Sequence, residues 1–156
     1  MKNPIQLLMH VPVPWVFVLT YLVGVGMESV FPFKVHPEAL LGLGAGGGVL
    51  FMVGAVIAGW SWLIFHSVRT TTIPGRQSTQ LVTWGPYRLS RNPMYAGLAV
   101  AYLGEAGILR QAWPVLILPL TIAYLNWIVI PVEEARLRDV FHGEYVEYCA
   151  KVRRWI

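Results

Sequence analysis

Four apolar stretches separated by polar segments set the pattern of the chain: Val11 to Phe33, Ala39 to Phe65, Met94 to Leu109 and Ala112 to Val132. A helix rises about 1.5 Å per residue and needs roughly 20 residues to cross the hydrocarbon core of a bilayer. The first, second and fourth stretches meet that length. The third has 16 residues and carries Glu105, so it spans only with local thinning of the bilayer or as one arm of a tight hairpin. Leu109-Arg110-Gln111 supplies the turn that would pair it with the fourth. The pattern predicts an all-α fold, a polytopic membrane bundle of about four transmembrane helices forming one domain over residues 1–156.

Composition points the same way. Of the 156 residues, 56% are hydrophobic and 13% are charged, against about 25% charged in soluble domains. That excludes an ordinary water-soluble globule and a disordered chain. The first stretch lacks the small-residue cleavage pattern of a signal peptide, and Pro12 and Pro14 precede a full-length apolar run, so it is expected to be retained. Gly42, Gly44 and Gly46 to Gly48 in the second stretch suit the close approach of another helix.

Charge sets the expected orientation. With four spans, both termini lie on one side together with the segment from His66 to Pro93. Ten Lys and Arg residues fall on that side and only Lys34 and Arg110 on the other, which places the termini and that segment in the cytoplasm. Cys149 is the single cysteine, so neither an intramolecular disulfide nor a cysteine-based metal site can form. His10, His36, His66 and His142 show no ligand spacing, and no metal is expected. Nucleic acid is not an expected partner.

The polar residues collect in two cytoplasmic segments, His66 to Pro93 and Glu133 to Ile156. Four short spans cannot enclose a roomy polar cavity, so a pocket for a polar cofactor would form where these segments fold over the mouth of the bundle. In the first, Gly85-Pro86 marks a turn, and Pro93 suits the first turn of the third helix with Asn92 as its N-cap. A helix start at the end of an arginine-bearing loop is a place for an anion, or simply a capped helix with two interface arginines. In the second, Leu137, Phe141, Tyr145 and Tyr148 form a stripe suited to the membrane surface or to the other loop, and Gly143 is a candidate break. Glu133 and Glu134 stand at the membrane boundary, where a carboxylate needs a partner. A salt bridge to Arg88 or Arg91 and a grip on a ligand's amine or ribose are both open to them.

The combination Leu81-Val82, Gly85-Pro86-Tyr87-Arg88, Arg91-Asn92-Pro93-Met94-Tyr95 and Gly97, with Glu133-Glu134, Leu137, Phe141-His142-Gly143, Tyr145, Tyr148 and Val152-Arg153-Arg154, resembles the isoprenylcysteine carboxyl methyltransferase and phospholipid methyltransferase superfamily. The match runs from Thr79 to the end, and its two halves flank a helical hairpin as in that family. The resemblance implies an integral membrane enzyme that uses S-adenosylmethionine, releases S-adenosylhomocysteine, and takes a lipophilic acceptor from the bilayer through a gap between helices. Carried over by position, Leu81, Val82, Gly85, Tyr87, Arg91, Asn92, Pro93, Tyr95, Gly97, Glu133 and Glu134 would line the cofactor pocket. Two positions depart from the family. Asn92 stands where histidine is common and cannot accept a proton near neutral pH. Gly97-Leu98-Ala99 keeps only the first glycine of a Gly-x-Gly element.

Methyl transfer from a sulfonium is an in-line displacement on an activated carbon, so alignment alone supplies roughly 7–11 kcal/mol of barrier reduction. A carboxylate acceptor needs only a cation to position it, for which Arg91 and Arg154 are candidates. An amine acceptor must lose a proton to a base such as Glu134 or a tyrosine. The expected catalytic residues are therefore Arg91, Glu134 and Arg154. The main alternative is a NADPH-dependent membrane reductase of steroid-reductase type. A helical scaffold or small transporter leaves the two polar clusters unexplained.

Overall fold

The computed structural model describes residues 12–32, 37–69 and 80–156, without the side chains of 37–43 and 69. Helix α1 is Val13–Val30, α2 is Pro37–Arg69, α3 is Pro93–Leu109 and α4 is Ala112–Tyr124. A π-helical turn, Leu125–Val129, carries α4 without interruption into α5, Ile130–Lys151, and a 3-10 turn, Gly85–Arg88, precedes α3. No strand occurs among the described residues. The all-α membrane bundle predicted by the pattern is what forms.

Three helical runs are long and apolar enough to cross a membrane: Val13–Val30, Gly44–Val68 and the run that starts at Ala112. At 17 residues α3 is the short one, as its sequence indicates. It is held instead by α2. Gly47 of α2 faces Gly104 and Ile108, Gly54 faces Gly97 and Ala101, and Gly97 in turn faces Ala58. These contacts descend along α2 as they ascend along α3, so the two helices are antiparallel. A Cβ at Gly54 or Gly104 would overlap the facing backbone; only glycine lets the axes come this near. Gly44, Gly46 and Gly48 make no such contact, so among the described glycines of this run the expected packing face comes down to Gly47, Gly42 lying outside the described side chains.

The α3–α4 hairpin turns where the sequence places it. Arg110 is left-handed at φ 57°, and the Gln111 amide donates to Ala106 O at 2.9 Å. Helix α1 locks the return: Tyr21 OH donates to Gln111 Oε1 at 3.0 Å, and Glu28 Oε2 accepts from the Ala112 and Trp113 amides at 3.0 and 3.1 Å. A carboxylate from another helix thus satisfies two of the orphan amides at the start of α4. The core joins Val13, Phe17 and Tyr21 to Tyr95, Tyr102 and Ala106, and to Leu118, Leu125 and Ile130.

The fourth helix does not stop at Val132. It continues as α5, whose one non-helical residue is His142, at φ 44° and ψ −120°. The break therefore falls one residue before Gly143. Beyond it, Tyr145 and Tyr148 pack with Leu81 into a second, smaller core, flanked by Leu137 and Phe141. Of the two surfaces open to this stripe, it takes the loop before α3.

Candidate functional site

The loop from Leu81 to Asn92 is shaped by its own turn chemistry. Gly85 takes φ 61° and sits against Ile64 of α2, a conformation that favours glycine. Pro86 then opens the 3-10 turn. Tyr87 OH donates to Ser61 O at 3.3 Å, tying the turn to α2, while Tyr148 OH donates to Tyr87 O at 2.7 Å, tying it to α5. Burial, with the Glu133 carboxylate second, pushes the Tyr87 hydroxyl up to about 12, so it stays protonated near neutral pH.

The tail after α5 closes the same loop. The Arg91 amide donates to Arg153 O at 2.9 Å, and Ser90 Oγ and Asn92 Nδ2 both donate to Arg154 O, at 3.2 and 3.0 Å. Asn92 occupies the N-cap position of α3 but makes no side-chain cap. The capping role expected of it is not filled; its side-chain NH2 donates to the tail instead.

At the centre lies Glu134, 6% exposed. Its Oε2 meets Arg154 Nη2 at 2.7 Å, and its Oε1 takes Arg154 Nε at 3.1 Å and Arg91 Nη2 at 3.2 Å. Arg154 is thereby held above the ordinary guanidinium range, mainly by this hydrogen bond. Two guanidinium groups share one carboxylate, which leaves the junction one positive charge in excess. Arg91 Nη1 also donates to Cys149 Sγ, while Arg91 Nε is buried with no acceptor among the described residues. Glu133 points another way and remains exposed, with Tyr95 OH donating to its Oε1 at 2.7 Å.

Of the expected site residues, Arg91, Asn92, Glu134 and Arg154 therefore meet at one junction, while Tyr95 bonds to Glu133 and Tyr87 ties the loop to α2 and α5. Leu81 belongs to the hydrophobic cluster with Tyr145 and Tyr148, Val82 is half-buried in the loop, and Pro93 is buried as the first residue of α3. Gly97 faces α2 rather than the junction. Glu105, within α3, forms no ion pair with Arg110 among the described residues. Sequence reasoning passed over Ser90, Asn126 and Trp155. Asn126 carried a signal, as a polar residue inside an apolar run five positions before a proline. Beside the start of α3 lies an apolar groove of about 200 Å³, lined by Pro14, Ala58, Gly59, Trp62, Met94 and Leu98.

The arrangement is that of a membrane-embedded helical protein with a charged site at one end of its bundle. The chain belongs to the phospholipid methyltransferase family, whose model matches residues 43–144. Two rice proteins, from Oryza sativa subspecies indica and japonica, are each described as a probable protein-S-isoprenylcysteine O-methyltransferase. Each is 33% identical over 106 residues, covering 68% of this chain and 53% of the relative. The chain thus spans about half the length of the curated relatives it matches. No solved structure matches it.

Proposed function

We propose that this chain transfers a methyl group from S-adenosylmethionine to a lipophilic carboxylate drawn from the bilayer. The observation that carries the proposal is the Arg91–Glu134–Arg154 junction, where the loop before α3 and the tail after α5 meet around the buried Glu134 carboxylate. Family membership supports the chemistry, and the relatives' description as isoprenylcysteine O-methyltransferases supports a prenyl-like acceptor. We further propose that α3 crosses the membrane with its hairpin partner, giving four spans, and that the termini and the loop before α3 are cytoplasmic, a reading the Lys and Arg distribution supports.

The residues present fit the methyl donor. Its carboxylate suits the surplus positive charge and the unpartnered Nε of Arg91, while its amine or ribose suits the exposed carboxylate of Glu133. When bound, the donor supplies an electrophilic methyl group on sulfur. The chain's task is then to hold and align. Arg91 would meet an anionic group through the Nε that its other contacts leave over, Arg154 adds positive charge beside it, and Glu134 fixes both guanidinium planes. Glu134 is committed to two arginines and Tyr87 is kept protonated, so neither is poised to take a proton. That favours an acceptor that arrives already anionic. The apolar groove beside Met94 would seat its hydrocarbon chain within reach of the loop, since three residues of backbone between Arg91 and Met94 span at most about 11 Å.

The test is to incubate membranes containing the chain with methyl-labelled donor and follow the label. A lipid-soluble product that releases its label in mild alkali, as a methyl ester does, is expected. An alkali-stable product would move the acceptor to an amine or thiol. No labelled product above control membranes would remove the activity.

A further inference from the structure

Asn126 lies in the π-helical turn between α4 and α5, and the turn changes what its backbone can do. The buried stripe of this continuous helix runs Leu118, Thr121, Leu125, Ile130 and Glu134. Its steps suit an α-helix except from Leu125 to Ile130, a step of five that the π turn absorbs. Without that extra residue, the face of the helix beyond it would be rotated and Glu134 would leave the junction. Within the turn the Ile130 amide donates to Leu125 O. The next donor in that register belongs to residue 131, a proline, which has no N–H. The Asn126 carbonyl is thereby left for an outside donor.

That donor is Arg154. Its Nη1 reaches Asn126 O at 3.4 Å and Asn126 Oδ1 at 3.3 Å, and Trp155 Nε1 donates to the same Oδ1 at 3.1 Å. The side-chain contacts are all to an acceptor atom. We propose that Asn126 is a positioning residue for Arg154: the π turn and Pro131 together present two oxygens that fix the guanidinium against Glu134 and pin the tail over the loop before α3. This rests on the methyl-donor reading of the junction. It adds a residue that touches neither donor nor acceptor and acts only through Arg154 and Trp155.

The acceptor chemistry makes the test sharp. Asn126→Asp keeps the oxygen and its shape, whereas Asn126→Leu keeps the volume and loses the acceptor. Affinity for S-adenosylhomocysteine and hydrogen exchange at the Arg91 amide, which bonds to Arg153 O, are measured for both variants in detergent. Asn126→Leu is expected to weaken binding roughly tenfold, as loss of one hydrogen bond to a charged group does, and to speed exchange at Arg91, with α2–α3 amides unchanged. Asn126→Asp is expected to restore both. A Leu variant indistinguishable from the unmodified protein, or Asp and Leu variants equally impaired, would overturn the proposal. If the unmodified protein fails to bind S-adenosylhomocysteine, the methyl-donor reading falls instead, and the exchange rates alone decide whether Asn126 holds the tail.

Discussion

Glu134 and Arg154, 20 residues apart in the chain, meet through two parallel hydrogen bonds of 2.7 and 3.1 Å. A fork of this kind fixes orientation as well as distance, and here it joins the first turns of α5 to the tail that follows it. Because Arg91 contacts the same carboxylate from the opposite wall, one side chain holds the site's three parts in register.

Removing Glu134 therefore leaves two guanidinium groups facing each other without compensation. Glu134→Ala is expected to cost about 3 kcal/mol of stability, the penalty for breaking a buried pair from one side, and to weaken S-adenosylhomocysteine binding at least tenfold. Thermal unfolding in detergent, with and without the ligand, reads both. Unchanged values would take Glu134 out of the site.

Arg91 tests whether geometry or charge matters. Arg91→Lys keeps the charge but cannot span Glu134, Cys149 and a ligand at once. Methyl transfer is expected to fall roughly tenfold or more in the Lys variant and further in Arg91→Ala. Full turnover in the Lys variant would reduce Arg91 to a point charge.

Gly97 separates packing from ligand contact. Its missing side chain faces Ala58 and Gly54 of α2, so Gly97→Val is expected to destabilise the bundle by about 1–3 kcal/mol through overpacking. Protein that remains folded should bind S-adenosylhomocysteine as before. Intact stability with lost binding would return Gly97 to the pocket that family resemblance assigns it.

Glu28 offers a control at the opposite end of the bundle. Glu28→Ala removes the acceptor for the first two amides of α4 and is expected to cost about 1 kcal/mol, as loss of a cap does. The unfolding midpoint should drop while ligand affinity stays constant. A changed affinity would mean that the far end of α4 is coupled to the junction.

Much of this was legible in the residues because bilayer length and apolar runs leave few alternatives. The three long apolar runs, the hairpin at Arg110 and the shortness of α3 all follow from counting. The meeting of the two polar segments was foreseen from where charge collects. What escaped was set by tertiary contact. Asn92 is a good capping residue, yet a tail carbonyl 62 residues away takes its amide. Glu28, near the end of its own helix, serves as the cap of a distant one. Asn126 gains its part only because Pro131 lacks an N–H and the helix widens by one residue. Propensity and hydropathy do not encode such choices of partner.

The most direct measurement is calorimetric titration of the detergent-solubilised chain with S-adenosylhomocysteine, with NADPH in parallel. Saturable one-to-one binding of S-adenosylhomocysteine, lost in Glu134→Ala, and no binding of NADPH are the results expected here. Binding of NADPH alone would contradict the methyl-donor site and put a reductase in its place.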